Sequence, residues 1–201
     1  VTVVINFAMM FKDAGLSMAT VQKDKINHGQ ISTLFWVNTF ISIVLGLSVL
    51  GVAPLVAWFY GKPELMSVTA VLSVTFIISG LSIQHAALLR RHMFFASLAI
   101  IQIVTQIATL IVTIILALLG WRYWALVGGS ITTAIVNNIM TFLFCPWIPS
   151  GIRKGTGVRP MLHFGKYIVG FEFINYFARN LDNILIGKIW GAKSLGLYSR
   201  A

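Results

Sequence analysis

Long apolar runs separated by short polar turns limit what this chain can fold into more than any other feature. A membrane-spanning helix needs about 20 mostly apolar residues, and six stretches meet that length, at residues 1–21, 31–60, 65–89, 94–119, 125–144 and 161–190. Only 10% of the 201 residues are charged, against about 25% in a soluble domain. The sequence therefore predicts an all-α integral membrane protein with about six transmembrane helices.

Lysine and arginine are distributed unequally between the two sets of loop ends. Because short cytoplasmic loops are enriched in both residues, the richer set is predicted to lie in the cytoplasm. This bias also accounts for much of the net charge of +10, and no basic run is interleaved with aromatic residues, so the bilayer rather than nucleic acid is the expected surrounding. The richer set holds Lys23, Lys25, Arg90, Arg91, Arg153, Lys154, Arg159 and Lys166, and the poorer set Lys62, Arg122, Lys188, Lys193 and Arg200.

The sixth apolar run carries a polar stripe. On a helix its polar residues fall within an arc of about 100°, and a charge at the bilayer centre costs about 2.5–3.5 kcal/mol unless it faces a cavity or a partner. We predict that the stripe lines a hydrophilic cavity, with Arg179 available to an anionic substrate. The alternative is a structural ion pair between Arg179 and Asp182, which are three residues apart. The stripe consists of Glu172, Asn175, Arg179, Asp182 and Asn183, with Asn180 as a further amide.

Two further pairs of charged residues are candidates for function. Lys12 and Asp13 lie within the first apolar run and either line the cavity or sit near the lipid headgroups. Arg90 and Arg91 could bind a lipid phosphate or a pyrophosphate head, although a topology signal is the favoured interpretation.

The remaining polar residues predict structure rather than chemistry. His85 and His92 are seven residues apart, but no carboxylate or cysteine joins them, so no metal site is expected. Cys145 is the single cysteine and forms no disulfide framework. Five acidic residues without a catalytic motif argue against an enzyme, and no catalytic residue is assigned. The amides Gln102, Gln106, Asn137 and Asn138 are expected to form interhelical hydrogen bonds.

Several short sequence motifs, taken in their order and with their spacing, resemble those of one family of membrane transporters. They are FKDAGLS at 11–17, VQKD at 21–24, STLFWVN at 32–38, QHAALLRR at 84–91, ARNLDNILIG at 178–187 and GLYSRA at 196–201. These motifs resemble those of the polysaccharide flippases of lipopolysaccharide and exopolysaccharide biosynthesis, in the multidrug/oligosaccharidyl-lipid/polysaccharide exporter superfamily. The resemblance implies an internal fragment of a roughly fourteen-helix, two-lobe transporter. Residues 1–146 would form most of the first lobe, 147–160 a cytoplasmic inter-lobe loop, and 161–201 the first helix of the second lobe and its following loop.

The resemblance also implies a function in the bacterial inner membrane. By alternating access, the family moves undecaprenyl-pyrophosphate-linked oligosaccharide through a central cationic cavity, one wall of which would be the helix carrying Arg179 and Asp182. The expected partners are the lipid bilayer, the lipid-linked oligosaccharide and other polysaccharide assembly proteins. No cofactor is expected, and Glu172 or Asp182 could carry a coupling proton or sodium ion. The alternatives are a drug or cation antiporter of the same superfamily and a non-transporting scaffold of a polysaccharide assembly complex.

Overall fold

The structure, a computed structural model, describes residues 16–23 and 25–151 together with residues 158, 160, 163, 167, 170, 171, 174, 185 and 186. The regular secondary structure of this part of the chain is helical. Its helices are α1 (Leu16–Gln22), α2 (His28–Tyr60), α3 (Glu64–Gly80), α4 (Ile83–Arg91), α5 (Phe95–Leu118) and α6 (Tyr123–Phe144). The described positions from 160 to 186 are also helical, in agreement with the helix predicted at 161–190.

Three of these helices are long and apolar enough to cross a membrane. α2, α5 and α6 have mean hydropathies of 2.4, 2.3 and 1.4, which confirms the spans predicted at 31–60, 94–119 and 125–144. α2 begins at His28, three residues before the predicted start, with the Asn27 backbone N–H donating to Gln30 Oε1 at 3.2 Å. It ends at Tyr60 and is followed by Gly61, whose φ of +65° is readily adopted by glycine. Residues 1–15 of the first predicted span lie outside the described residues.

The predicted span at 65–89 is not one straight helix. α3 and α4 are separated by Leu81 and Ser82 and are bent by 43°, so the pair forms either one broken span or a re-entrant loop. The Ser82 hydroxyl donates to the Ser79 carbonyl at 3.1 Å, a local bond of the kind that competes with continued helix. Gly80 precedes the break and has low helix propensity. The prediction of a single helix was therefore wrong at this point.

The long helices pack side by side in a row, in the order α2, α3, α6, α5. The short helices α1 and α4 pack together at one end of these long helices, so that 'one end of the row' means the side on which those helix ends lie. Small residues set the spacing of the row, because close backbone approach is what stabilises helix pairs in lipid. Gly80 lies directly against the Ser42 side chain, and a Cβ added at Gly46 would be 3.1 Å from the Ser73 carbonyl oxygen. Gly80 and Ser73 of α3 thus lie at the contact with α2.

Polar side chains join the row at two further points. The Asn138 amide of α6 donates to the Ile78 carbonyl of α3, as predicted for an interhelical amide. Thr109 of α5 and Thr133 of α6 bring their hydroxyl oxygens to 2.7 Å. Gln102 and Gln106, in contrast, are exposed and make no hydrogen bond to the described residues, so an interhelical bond stays a prediction for both.

We expect Gly80→Ala to destabilise the protein. Its new Cβ would overlap the Ser42 Cβ, which is fixed to the backbone of α2 and cannot swing away; overpacking of this kind typically costs about 1–3 kcal/mol. Gly51→Ala in α2 is the matched control, because a Cβ there meets nothing within 4 Å. The melting temperatures of the two purified full-length variants in detergent test this. Equal melting temperatures would show that the α2–α3 contact is not tight.

Candidate functional site

The residues predicted to line a cavity fall where the structure gives no description. Lys12, Asp13, Glu172, Asn175, Arg179, Asn180, Asp182 and Asn183 all lie outside the described residues, and their cavity role stays a prediction. Three apolar residues of the same predicted span are described: Phe171, Ile174 and Leu185 are 68%, 72% and 48% exposed.

Within the described part, polar side chains converge where α1, α2 and α4 meet, and we call this region the polar end. Thr20, Asn38, Gln84 and His85 are each 0% exposed there. The Gln84 amide donates to Thr20 Oγ1 at 2.9 Å, and the Asn38 amide donates to Gln84 Oε1 at 3.4 Å. Because buried amides are costly when unpaired, this chain of bonds specifies how the three helices meet.

Arg91 extends the polar end to the carboxyl terminus of α1. Its Nη1 donates to the carbonyl oxygens of Thr20 at 2.8 Å and Lys23 at 2.5 Å. The last carbonyls of a helix lack intrahelical partners and carry partial negative charge, so a guanidinium there is doubly favourable. Arg91 thus holds α1 against α4, and it is only half-exposed. Arg90 is exposed, which leaves it the more accessible of the two predicted contacts for a lipid phosphate.

The segment 145–151, which follows α6, docks on the polar end. His85 Nε2 lies 3.0 Å from the Trp147 carbonyl oxygen, and the rings of His85 and Trp147 are 5.2 Å apart. The Trp147 ring also meets Phe35 at 6.1 Å and His28 at 5.6 Å. Trp147 therefore binds the segment to both α2 and α4.

A second set of contacts holds the end of the same segment. The Ser150 backbone N–H donates to Ser32 Oγ at 3.0 Å, and Trp36 Nε1 donates to the Ser150 carbonyl at 3.0 Å. Farther along, Val158 packs against the buried pair Ala19 and Leu34. We call residues 145–151 with these contacts the clasp. It fixes the beginning of the predicted inter-lobe loop onto α2.

Hydrogen bonds between loop ends show which ends of the helices lie on the same side. The Arg91–Lys23 bond and the Ser150–Ser32 bonds bring loop ends at 23, 91 and 150 to one end of the row. The turns at Gly61 and Gly120, with φ of +65° and +82°, connect the helices at the other end. The described loop ends of the richer set, which carry Lys23 and Arg91, therefore share one side, as the alternation of charge along the sequence predicts.

Little in the sequence predicts the polar end. His85 stood out only through its spacing to His92, and the described residues contain no group of three metal-ligating side chains. Its partner is a backbone carbonyl 62 residues away, and such a contact leaves no periodic signal. The available clue was the pair of prolines at 146 and 149 around Trp147, which predicts a non-helical segment.

We expect Gln84→Met to lower stability. Methionine keeps the length of the side chain but leaves Thr20 Oγ1 and the Asn38 amide without their Gln84 partner, at a cost of about 1–3 kcal/mol. Gln106→Met is the matched control, because the same chemical change there removes no hydrogen bond to the described residues. The measurement is the melting temperature of each full-length variant. A shift of the same size in both would mean that the polar end contributes no specific stability.

Comparison with known proteins places these features in a family context. Residues 1–201 match the family described as Polysaccharide biosynthesis protein. The chain is 26% identical to the teichuronic acid biosynthesis protein TuaB of Bacillus subtilis, covering 97% of this chain and 41% of that protein. It is 27% identical to the lipopolysaccharide biosynthesis protein WzxC of Escherichia coli, over 99% of this chain and 41% of that protein.

A third relative is named as a transporter. The chain is 24% identical to the succinoglycan biosynthesis transport protein ExoT of Rhizobium meliloti, over 98% of this chain and 40% of that protein. The chain thus spans about two fifths of the length of the relatives it matches. No solved structure matches it.

Proposed function

The chain belongs to the polysaccharide biosynthesis protein family, and from this premise we propose that it forms part of a transporter that moves lipid-linked oligosaccharide across the inner membrane for surface polysaccharide biosynthesis. The observation that carries the proposal is the family match over residues 1–201 on a chain with three helices fit to span a membrane. The ExoT relative is named as a biosynthesis transport protein, which supports export rather than catalysis.

The chemistry of the polar stripe fits such a cargo. A pyrophosphate is anionic, and an arginine in an apolar enclosure binds it bidentately through charge-assisted hydrogen bonds. Arg179 is the residue we assign to that contact. The neighbouring amides of Asn175, Asn180 and Asn183 would hydrogen-bond sugar hydroxyls. An antiporter for cationic drugs would need a more acidic cavity than this stripe offers.

The clasp supports an alternating-access mechanism. Alternating access in transporters is largely the rocking of one rigid bundle against another. Through Trp147 and Ser150 the clasp keeps the chain on the α2–α4 side as far as residue 151. In the proposed mechanism, movement between the two bundles is therefore absorbed after the clasp, and the row of helices acts as one wall of the cavity.

We expect Arg179→Gln to abolish export while the protein still inserts into the membrane. Glutamine keeps a polar side chain but loses the charge that pairs with a pyrophosphate. The assay expresses the full-length variant in a strain lacking the gene and measures surface polysaccharide and protein abundance. Arg122→Gln is the matched control, since Arg122 is an exposed arginine in the turn before α6. Normal surface polysaccharide with Arg179→Gln would overturn the assignment.

We also expect the stripe to be accessible to water. Cys145 is the single cysteine of this sequence. It is buried, and burial raises the pKa of its thiol, so it reacts slowly, and Cys145→Ser provides a clean background. Single cysteines then replace residues of the stripe, and a membrane-impermeant thiol reagent is added from either side. The positions are Asn175, Arg179, Asp182 and Asn183, with Phe173 and Ile184 as controls.

Labelling of the stripe but not of the controls is the expected result. Labelling that depends on the side of addition would accompany alternating access. If the stripe is as unreactive as the controls, it is a packed, ion-paired seam. The non-transporting scaffold would then be the better interpretation of this chain.

A further inference from the structure

The connection between α4 and α5 exposes three large apolar side chains in succession. Met93, Phe94 and Phe95 are 74%, 55% and 62% exposed, and they follow closely on Arg90, which is also exposed. We call residues 90–95 the α4–α5 turn. Aromatic side chains beside cations are typical of the boundary between the hydrocarbon and the headgroups of a bilayer, so the composition of this turn suits a position at that boundary.

The backbone of the α4–α5 turn holds Met93 in a conformation that favours glycine. The Phe94 N–H donates to the Leu89 carbonyl at 2.9 Å, and the Met93 N–H donates to the Arg90 carbonyl at 3.0 Å. This is the Schellman pattern of a helix end, in which the residue corresponding to Met93 is usually glycine. Met93 has a φ of +56°, which is unfavourable for a residue with a Cβ. Strained residues of this kind cluster at binding and functional sites, and the strain here places an apolar side chain on the outside of the protein.

His92 holds the ring of Phe94 in its exposed position. The two rings are stacked, with their centres 5.9 Å apart and their planes at 24°, and His92 Nδ1 lies 2.9 Å from the Leu88 carbonyl oxygen of α4. In a Schellman motif the residue at the position of Phe94 frequently packs back against the last turn of its helix. Phe94 stacks on His92 and stays more than half exposed, so its outer side is available to a partner.

Basic residues from two loop ends meet at the α4–α5 turn. The bond from Arg91 Nη1 to the Lys23 carbonyl, at 2.5 Å, brings the loop after α1 to the end of α4. Lys25 of that loop is exposed, as Arg90 is. The two loop ends contain four lysines and arginines and one acidic residue, Asp24, which lies outside the described residues. This corner of the protein therefore carries a net positive charge.

A lipid with an anionic headgroup matches both the charge and the apolar residues of this corner. Basic clusters just outside a membrane span attract anionic headgroups, most of all on the cytoplasmic side, where the charge bias of the loops places this end of the row. A soluble anion such as inorganic phosphate would engage the cations alone and leave the apolar side chains in water. The three exposed apolar residues beside the cations therefore favour a phospholipid over a free anion.

We propose that the α4–α5 turn binds an anionic phospholipid. Arg90 and Lys25 pair with the headgroup phosphate through charge-assisted hydrogen bonds, and Met93 and Phe94 pack against the acyl chains. Because the two cations belong to α4 and to the loop after α1, a bound phosphate bridges the same two elements that Arg91 joins. The lipid therefore stabilises this end of the row, whatever molecule the protein transports.

The test measures the melting temperature of the full-length protein in nanodiscs of phosphatidylcholine, with and without phosphatidylglycerol. The variant is the double substitution Lys25→Gln and Arg90→Gln. Its control is Arg122→Gln, because Arg122 is an exposed arginine beside the exposed Trp121 at the other end of the row. Phosphatidylglycerol should raise the melting temperature of the wild type and the control but not that of the double variant. In native mass spectrometry, each basic residue removed should weaken phosphatidylglycerol binding about fivefold.

A second variant tests the apolar part of the site. Met93→Gly removes a contact with the acyl chains and relieves the left-handed backbone strain, so its melting temperature in phosphatidylcholine alone should not fall. Its binding of phosphatidylglycerol should nevertheless be weaker than that of the wild type. Unchanged binding by Met93→Gly would show that the acyl chains do not contact the turn and would overturn the proposal.

Three further results would contradict a phospholipid site. If Arg122→Gln loses the stabilisation as fully as the double variant does, the lipid is attracted by overall charge rather than bound at the α4–α5 turn. If inorganic phosphate added to phosphatidylcholine nanodiscs stabilises the wild type as much as phosphatidylglycerol does, the site takes a soluble anion. If undecaprenyl pyrophosphate displaces phosphatidylglycerol from the wild type but not from Arg122→Gln, the anionic lipid is a competitor and not a resident of one site. None of these measurements requires transport, so they leave the proposed function untouched.

Discussion

Close backbone approach at small residues is the constraint on which the rest of this structure depends. In lipid, apolar side chains gain little by packing against one another, because the surrounding chains are as apolar as they are. Gly80 against Ser42 and Gly129 against Thr113 bring α2 to α3 and α5 to α6. The large apolar side chains, such as Phe40, Leu47 and Leu110, point outward instead and are 58–67% exposed. The row of helices is thus built from its small residues.

Once the helices are spaced in this way, the buried polar groups determine how they are joined. Gln84 connects Thr20 to Asn38, and Arg91 connects α4 to the end of α1. The clasp adds the segment after α6 to the same region through Trp147 and Ser150. One end of the row is therefore cross-linked by polar contacts. The proposed rocking mechanism would use this cross-linked end as a rigid wall.

Much of the architecture was predictable because the hydropathy of a segment depends only on the residues of that segment. The spans containing α2, α5 and α6 follow from apolar length, and the Asn138 bond follows from the cost of an amide in lipid. The break at Leu81 was not predicted, because Gly80 and Ser82 are common in unbroken membrane helices. Gln102 and Asn138 are both amides in apolar helices, yet one is exposed and the other is buried. Their sequence surroundings do not distinguish them.

The sequence by itself determined that this chain is a helical membrane protein, where its described spans lie, and which loop ends share a side. These properties depend on the composition of each segment and on the bilayer as solvent. Only the tertiary structure decided that His85 binds the Trp147 carbonyl, that Arg91 binds the end of α1, and that Ser150 binds Ser32. Those contacts join residues far apart in the chain, and their partners are set by how the helices pack.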